Sequence, residues 1–479
     1  MTAASPTNAP SPASQPGLRR WFVALWTLAI GTRVLQLLTE SAYLHPDALH
    51  QGLEPAFRAL NGYGEIAWEF QRGLRSWAFP GLLAGPMALT QALGLSGPGV
   101  GMALGVAASR AVMVAIDLWA LHETSRYAEA KAGRAAALVV MFLGAAHPMF
   151  VVMGAQPLID VPAAALLIAL VRRCEREDVS VRAAVMIGAL AALTALVRVQ
   201  LAPAVLVAVT GALLLRRPPA SSWGWGALGA LGVLGAWALL DWWTWGRLLH
   251  SLRAYLAYNL SEGQTAFGVM PPSHYLTNWG QVAPVFAWVS APFAVLAARK
   301  NPLLAATLIA VVLPHQLVPY KVWRFLHPAL WLWLALVAVG WSHLRVRRAV
   351  KTALAVCVLV GACASWVSQG VWQTTWLHHQ GGAEAVGLSR ALNRAYLAVS
   401  AGPAPQKVAQ AVVPQAAAPG AALLGHSCGA LHPLGQRVPP AELRAVDLWI
   451  LRDDGKALRT WPRVWRDPAT DVAVLRRPK

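Results

Sequence analysis

The sequence predicts an all-α polytopic membrane protein of about eleven transmembrane helices. Three observations lead there. Of the 479 residues, 57% are hydrophobic and only 13% charged, about half the charged share of a soluble domain, and the mean hydropathy is +0.47. Apolar runs of roughly 17 to 25 residues recur, long enough at about 1.5 Å per residue to cross a hydrocarbon layer of about 30 Å. Their Ala, Leu, Val and Gly content suits helices rather than barrel strands, the two forms in which a lipid-exposed backbone satisfies its own polar groups.

Residues 1–18, rich in Ser, Pro and Ala, read as a disordered cytoplasmic tail. Arg33 breaks into the first apolar run and no small-x-small cleavage site precedes the polar stretch after it, so the run reads as a helix and not a secretory signal. Spans are expected at 21–39, 100–121, 135–153, 157–171, 183–197, 199–215, 224–240, 281–298, 302–318, 325–342 and 351–368. Residues 81–95 are apolar but short and read as an interfacial or re-entrant piece.

With the N-terminus inside, the basic turns fall on the cytoplasmic side, as the positive-inside rule asks. They hold Arg126, Lys131 and Arg134; Arg172, Arg173, Arg176 and Arg182; Arg216 and Arg217; Arg299 and Lys300; and Arg345, Arg347, Arg348 and Lys351. Topology thus accounts for the formal charge of +19, and no nucleic acid partner is expected. Eleven crossings leave four stretches sharing the outer face: 40–80, 241–278, 319–324 and everything after 369. The C-terminal region 369–479 reads as extracytoplasmic, with an Ala/Pro/Gln-rich linker at 399–420 and a small α/β piece over 421–479. Four scattered cysteines offer neither a disulfide framework nor a thiolate metal site.

Some charges do not follow from topology. An ionisable group in mid-membrane costs about 3 kcal/mol on insertion scales and faces protein or a wet cavity. Arg33, Arg110, Asp117 and Arg198 are of this kind. Arg110 and Asp117, seven apart, share a helix face but lie about 10 Å apart along it, so each needs a partner on another helix. Structural pairing is the plainer reading for Asp117; pairing and substrate contact both stay open for Arg110.

On the outer face, Asp47 follows Pro46, which sets its carboxylate on a stiff turn at the membrane surface. Trp68, Phe70, Trp77 and Phe79 suit interfacial depth, and Arg72 and Arg75 bring cations to the same level. That mixture fits an amphiphile with an anionic head. A second group, PHQLVPYKVWRFLHPAL, holds His315, Lys321, Arg324 and His327. Such cations often only snorkel, yet the positive-inside bias makes them unexpected here and favours phosphate binding. A third group holds Asp241, Tyr258, Asn259, Gly263, Gly268, His274 and Tyr275; its plain reading is an amphipathic interfacial hairpin.

Together these groups resemble the polytopic mannosyltransferases that use dolichyl-phosphate-mannose in N-glycan and glycosylphosphatidylinositol assembly. The family's HPDE-x-x-Q signature is matched by His45-Pro46-Asp47-Ala48-Leu49-His50-Gln51, followed by Glu54-Pro55, Trp68-Glu69-Phe70 and Arg75-Ser76-Trp77-Ala78-Phe79-Pro80. SRAVMVAID supplies the family's Arg and Asp as Arg110 and Asp117, and Arg198 matches its short Arg-Pro-Thr turn. Asp241, Gly246, Tyr258, Asn259, Gly263, Gly268, Pro272, His274 and Tyr275 match a further stretch. Tyr320-Lys321-Val322-Trp323-Arg324-Phe325 resembles His-Lys-Glu-x-Arg-Phe. The chain departs from the family at Ala48, Tyr320 and Val322, and at Gln156 and Asp160, where the family tends to have Arg and Asn.

The resemblance implies the C-type glycosyltransferase architecture over 19–368, with a catalytic outer loop at 40–80 and a second outer loop at 241–278. It implies an inverting transferase moving mannose, or a similar hexose, from a polyprenyl-phosphate donor to a lipid-linked or glycan acceptor. Asp47 is the implied general base. Lys321, Arg324, His315 and Arg198 would receive the donor phosphate; His45, Gln51, Glu54, Glu69, Arg75, Arg110, Asp117, Tyr258, Asn259 and His274 would bind substrate. Trp68, Trp77, Trp242, Trp243 and Trp245 are candidates to guide the prenyl chain.

A lipid-phosphate leaving group carries less charge than a nucleotide diphosphate, so cationic side chains suffice to receive it. No Asp-x-Asp pair occurs in an outer loop, and no metal or cofactor is expected. Rival readings are a flippase of lipid-linked sugars, against which the absence of internal repeats counts, and a non-catalytic glycan-binding scaffold, suggested by Ala48. The Ala/Arg/Trp-rich composition reads as bacterial, placing the site on the periplasmic side of the inner membrane; a eukaryotic chain would sit in the endoplasmic reticulum membrane.

Overall fold

A computed structural model of the chain describes residues 16–360, apart from 40–46, 63–65, 96–99, 262–264, 266–267, 278–283, 346, 348–349, 351 and 358–359, together with the backbone of strands between 407 and 476. Helices cover the expected spans from the first to 325–342. They begin with α1 (Pro16–Thr39), α2 (Glu54–Asn61, entered through a π-helical turn at Ala48–Leu53), α3 (Trp68–Gln71), α4 (Ala78–Ala92) and α5 (Val100–Ala132). There follow α6 (Arg134–Ala146), α7 (Pro148–Gly154), α8 (Asp160–Cys174), α9 (Val181–Val197), α10 (Ala202–Arg216), α11 (Ala220–Trp245) and α12 (His250–Ser261). Three more run over Pro284–Ala298, Pro302–Leu317 and His327–His343.

Among the described residues five helices are long and apolar enough to cross a membrane: Arg19–Leu38, Leu104–Ala132, Val199–Arg216, Ala220–Trp245 and Trp323–His343. The pair α6 and α7 would make a sixth but bends by 63°, so the count of eleven separate long spans is not reproduced. The bend has a local cause. Pro148 lacks an N–H and forces extended backbone on His147, whose φ and ψ are −79° and 129°, and a helix cannot run through that residue. Val181–Val197, Val289–Ala298 and Pro302–Leu317 are shorter apolar helices.

Two boundaries move. The chain is already helical at Pro16, inside the stretch read as a tail, and the apolar piece read at 81–95 is the helix α4, its Phe79, Leu83 and Met87 buried. Most of the last expected span, 351–368, lies outside the described residues.

Close packing fixes the bundle. A Cβ on Gly188 would stand 1.8 Å from the Gly226 carbonyl oxygen, and one on Gly229 2.1 Å from that of Val185, so α9 and α11 touch backbone to backbone, the contact that small residues permit in membranes. Within the bundle Arg33 and Asp117 pair at 2.6 Å, both wholly buried, and Arg33 also donates to the Gly144 carbonyl at 3.0 Å. Pairing of this kind makes buried charge tolerable. One end of the bundle gathers Lys131 with Glu175, and Arg172 and Arg173 with Glu123; the other gathers Asp160, Arg198, His315 and Arg324.

The described C-terminal strands are β1 (Lys407–Gln410), β2 (Ser427–Leu431), β3 (Leu448–Arg452), β4 (Arg463–Arg466) and β5 (Val472–Arg476). They form one sheet in the order β2-β1-β3-β5-β4, with β1 parallel to β2 and β3, and β5 antiparallel to β3 and β4.

Candidate functional site

Four charged side chains from four parts of the chain join at one end of the bundle. Asp47 stands just before the π-helical turn Ala48–Leu53. Its Oδ2 accepts from Nη2 of Arg324. Nη1 of the same guanidinium donates to Asp160 Oδ2 at 2.8 Å, and the other Asp160 oxygen accepts from Arg198 Nη1. The centre of the Phe325 ring lies 4.8 Å from the Arg198 guanidinium carbon and 4.9 Å from that of Arg324, so one aromatic ring contacts both cations. Two carboxylates balance two guanidiniums, which is the condition for burying all four.

Local sequence sets this geometry. Asp160 is in the first turn of α8, where a helix N-terminus favours negative charge. Arg198 sits in extended backbone between α9 and the 3-10 turn Val199–Leu201, and Arg324 in the 3-10 turn Trp323–Leu326. Pro203 and Pro328 begin the helices beyond those turns, a position where the missing N–H is of no consequence. Ala48 is buried with Met153 and Leu158, surroundings that suit an apolar residue.

Asp47, Arg198 and Arg324 edge a cavity of about 1040 Å³, with Asp160 buried behind the two arginines. Asp47, Gln51, Arg198, His315, Tyr320 and Arg324 line one side; Trp68, Glu69, Arg75, Tyr255, Tyr258 and Asn259 line another; Leu196, Val197, Trp237, Leu252, Leu256 and Leu260 supply an apolar wall. Arg75 pairs with Glu69 at 2.7 Å and lies 5.2 Å from the Tyr255 ring centre. The Trp68 and Tyr258 rings pack at a tilt, their centres 5.5 Å apart. Asp241 shapes this wall from behind: its Oδ2 accepts from the Ser251 amide at 2.8 Å and hydroxyl at 2.6 Å, fixing the start of α12.

His315 Nδ1 donates to the Val311 carbonyl at 2.7 Å, since a carbonyl can only accept. The neutral ring therefore offers a lone pair at Nε2. That tautomer suits accepting from a hydroxyl, and His315 lines the cavity together with Arg198 and Arg324. His315 Nε2, Arg198 Nε and Arg324 Nε are buried without hydrogen-bond partners, each costing about 1–3 kcal/mol until a ligand or small movement supplies one.

Other expected site residues lie elsewhere. Lys321 is buried and donates to the Val318 carbonyl at 2.7 Å, and is not among the cavity-lining residues. His274 is likewise not among them; burial and the Lys321 ammonium hold its imidazole below the usual histidine range. Nor do Glu54, Arg110 and Asp117 line the cavity: Glu54 is buried, Arg110 Nε donates to the Ala155 carbonyl at 3.0 Å, and Asp117 takes Arg33. Trp242 and Trp243 are exposed, and Trp77 packs on Phe70 and Trp245. His45 lies outside the described residues. Asp160 was not foreseen as a site residue. Its one signal was an acidic side chain opening an apolar span at the outer face.

The family profile described as "Alg9-like mannosyltransferase family" matches residues 24–390. Among curated relatives, GPI mannosyltransferase 3 of Candida glabrata is 44% identical over 57 residues, 12% of this chain and 9% of that protein; the match thus spans a small part of the relative's length. Among solved structures, ArnT from Cupriavidus metallidurans in the apo state superposes with a TM-score of 0.60 at 16% identity, covering 97% of this chain and 100% of that one. The same protein bound to undecaprenyl phosphate gives 0.59 at 14% identity, covering 96% and 99%. These superpositions establish a shared fold.

Proposed function

The chain belongs to the Alg9-like mannosyltransferase family, and from that premise we propose that it moves mannose, or a similar hexose, from a polyprenyl-phosphate donor to a hydroxyl of a lipid-linked or glycan acceptor. The observation that carries the reading is the meeting of Asp47 and Arg324, 277 positions apart in sequence, at the edge of one cavity. A base for the attacking hydroxyl and a cation for the departing phosphate then share one wall.

The acceptor oxygen attacks the anomeric carbon and its proton passes to Asp47. The bond from that carbon to the phosphate oxygen breaks, and the polyprenyl phosphate leaves with one more negative charge, which Arg324 receives with Arg198 behind it. Positioned base catalysis is worth about 10²–10⁴-fold, and fixed cations act where charge develops. A single displacement turns a β-linked donor into an α-linked product. Gln51, Glu69, Arg75, Tyr258 and Asn259 are assigned to the sugar and acceptor, and His315 to a hydroxyl. The apolar wall takes the first prenyl units, and an undecaprenyl phosphate complex of a protein with the same fold supports that assignment.

As an integral membrane protein the chain would work at its outer face, periplasmic in a bacterium and lumenal in an endoplasmic reticulum. Residues 19–368 would form the transferase domain with up to eleven crossings, and 369–479 an outer appendage containing the sheet. Purified protein given radiolabelled polyprenyl-phosphate-mannose and candidate acceptors tests the proposal. Transfer by the natural chain, lost in Asp47→Asn with donor binding kept, is expected; full transfer by Asp47→Asn overturns the assignment of the base.

A further inference from the structure

We propose that Arg324 works as an exchangeable clasp: it occupies Asp47 until the donor phosphate arrives, then passes Nη2 from Asp47 to the phosphate while Asp160 keeps hold of Nη1. The inference rests on the reading that a lipid phosphate enters this cavity, and adds an order to it.

The two ends of the guanidinium are not equivalent. Nη1 binds Asp160, which is wholly closed to solvent and whose other oxygen is taken by Arg198. Releasing either arginine would leave buried charge uncompensated, a severe penalty. Nη2 binds Asp47, whose side chain remains 21% exposed and lines the cavity. Asp47 can regain water when its partner leaves, so the outer bond is the one that exchanges.

A phosphate oxygen is a charge-assisted acceptor matched to the same donor. With the inner bond and the Phe325 face as anchors, the swap needs only a small turn of one side chain. Its chemical effect is large. A carboxylate neutralised by a guanidinium is a poor proton acceptor, so Asp47 becomes a competent base only once phosphate has drawn Arg324 away. The donor therefore binds first, and hydroxyls are not activated before it is in place.

Competition between Asp47 and phosphate for one donor gives the test a sign. Binding of radiolabelled undecaprenyl phosphate to the purified full chain in nanodiscs is measured for the natural protein, Asp47→Asn, Asp47→Ala, Glu129→Gln and Arg324→Gln, and for Asp47→Asn combined with Arg324→Gln. Both Asp47 variants should bind about tenfold more tightly, the scale of one charge-assisted bond. The gain should vanish in the Arg324→Gln background, and Glu129→Gln, which removes a carboxylate paired with Arg126 away from the cavity, should change little. If Arg324→Gln fails to fold, Arg324→Lys replaces it, keeping a charge beside Asp160 without the fork. Unchanged or weaker binding in the Asp47 variants overturns the clasp, as does an equal gain in Glu129→Gln or a gain that survives loss of Arg324; the lipid-phosphate reading then still stands. Absence of binding by the natural protein overturns that reading and the clasp together.

Discussion

Asp160 and Arg324 meet at 2.8 Å, Oδ2 to Nη1, at a point where Asp160 has no solvent access. Because Arg198 takes the other oxygen, this carboxylate sets the position of both cations assigned to phosphate. Asp160→Asn keeps the shape but not the charge, leaving two buried guanidiniums to share a neutral amide. Loss of one member of such a cluster costs about 3–5 kcal/mol. The expected result is a lower unfolding temperature in detergent together with a fall in kcat/KM of at least about 100-fold, measured by unfolding scans and sugar transfer.

Arg324 and Lys321 should differ sharply, although either cation fits a phosphate on sequence grounds. Arg324→Gln is expected to lower kcat/KM by about 10²–10³-fold, the loss typical of a group facing developing charge. Lys321→Gln removes a bond to the Val318 carbonyl and should stay within about threefold. Steady-state transfer kinetics on both variants decide the matter; equal losses would return Lys321 to the site.

Arg33 and Asp117 are assigned to stability alone. Arg33→Leu or Asp117→Leu should destabilise by about 3–5 kcal/mol through the stranded partner, and the double Leu variant should recover much of that. Per folded molecule, the KM for donor should not move in the double variant. A raised donor KM would show Asp117 to be in contact with substrate after all.

The seam between α9 and α11 admits no side chain at Gly188 or Gly229. Gly229→Leu is expected to force the helices apart and to lower both the yield of folded protein and its unfolding temperature, whereas Gly232→Leu, on the same helix α11 but with nothing within 4 Å of its Cβ, should be tolerated. Unfolding scans of the two variants measure the contrast.

The membrane character and helical class were legible because apolar run length is a property of composition. Asp47 with Arg324, and the wall of Glu69, Arg75, Tyr258 and Asn259, came from motif order, which singled out residues that line one cavity without saying which atoms touch. Asp160 was read as a departure from a pattern because its value depends on two arginines distant in sequence. Lys321 and Arg324 are parted by extended backbone at Val322, with φ −132° and ψ 132°, and the turn that follows; residue type alone does not say which cation turns inward. The break at His147 was readable from Pro148, but an apolar stretch hides a bend when only hydropathy is followed.

Helix α11 brings Trp237 to the cavity, yet only 6% of its apolar window is buried, so its other face is turned toward lipid. A tail leaving past that tryptophan meets the fatty acyl phase after a few isoprene units and is measured no further. Such an enzyme would have a ruler for the head group and none for the chain, and polyprenols of quite different length should serve it equally well.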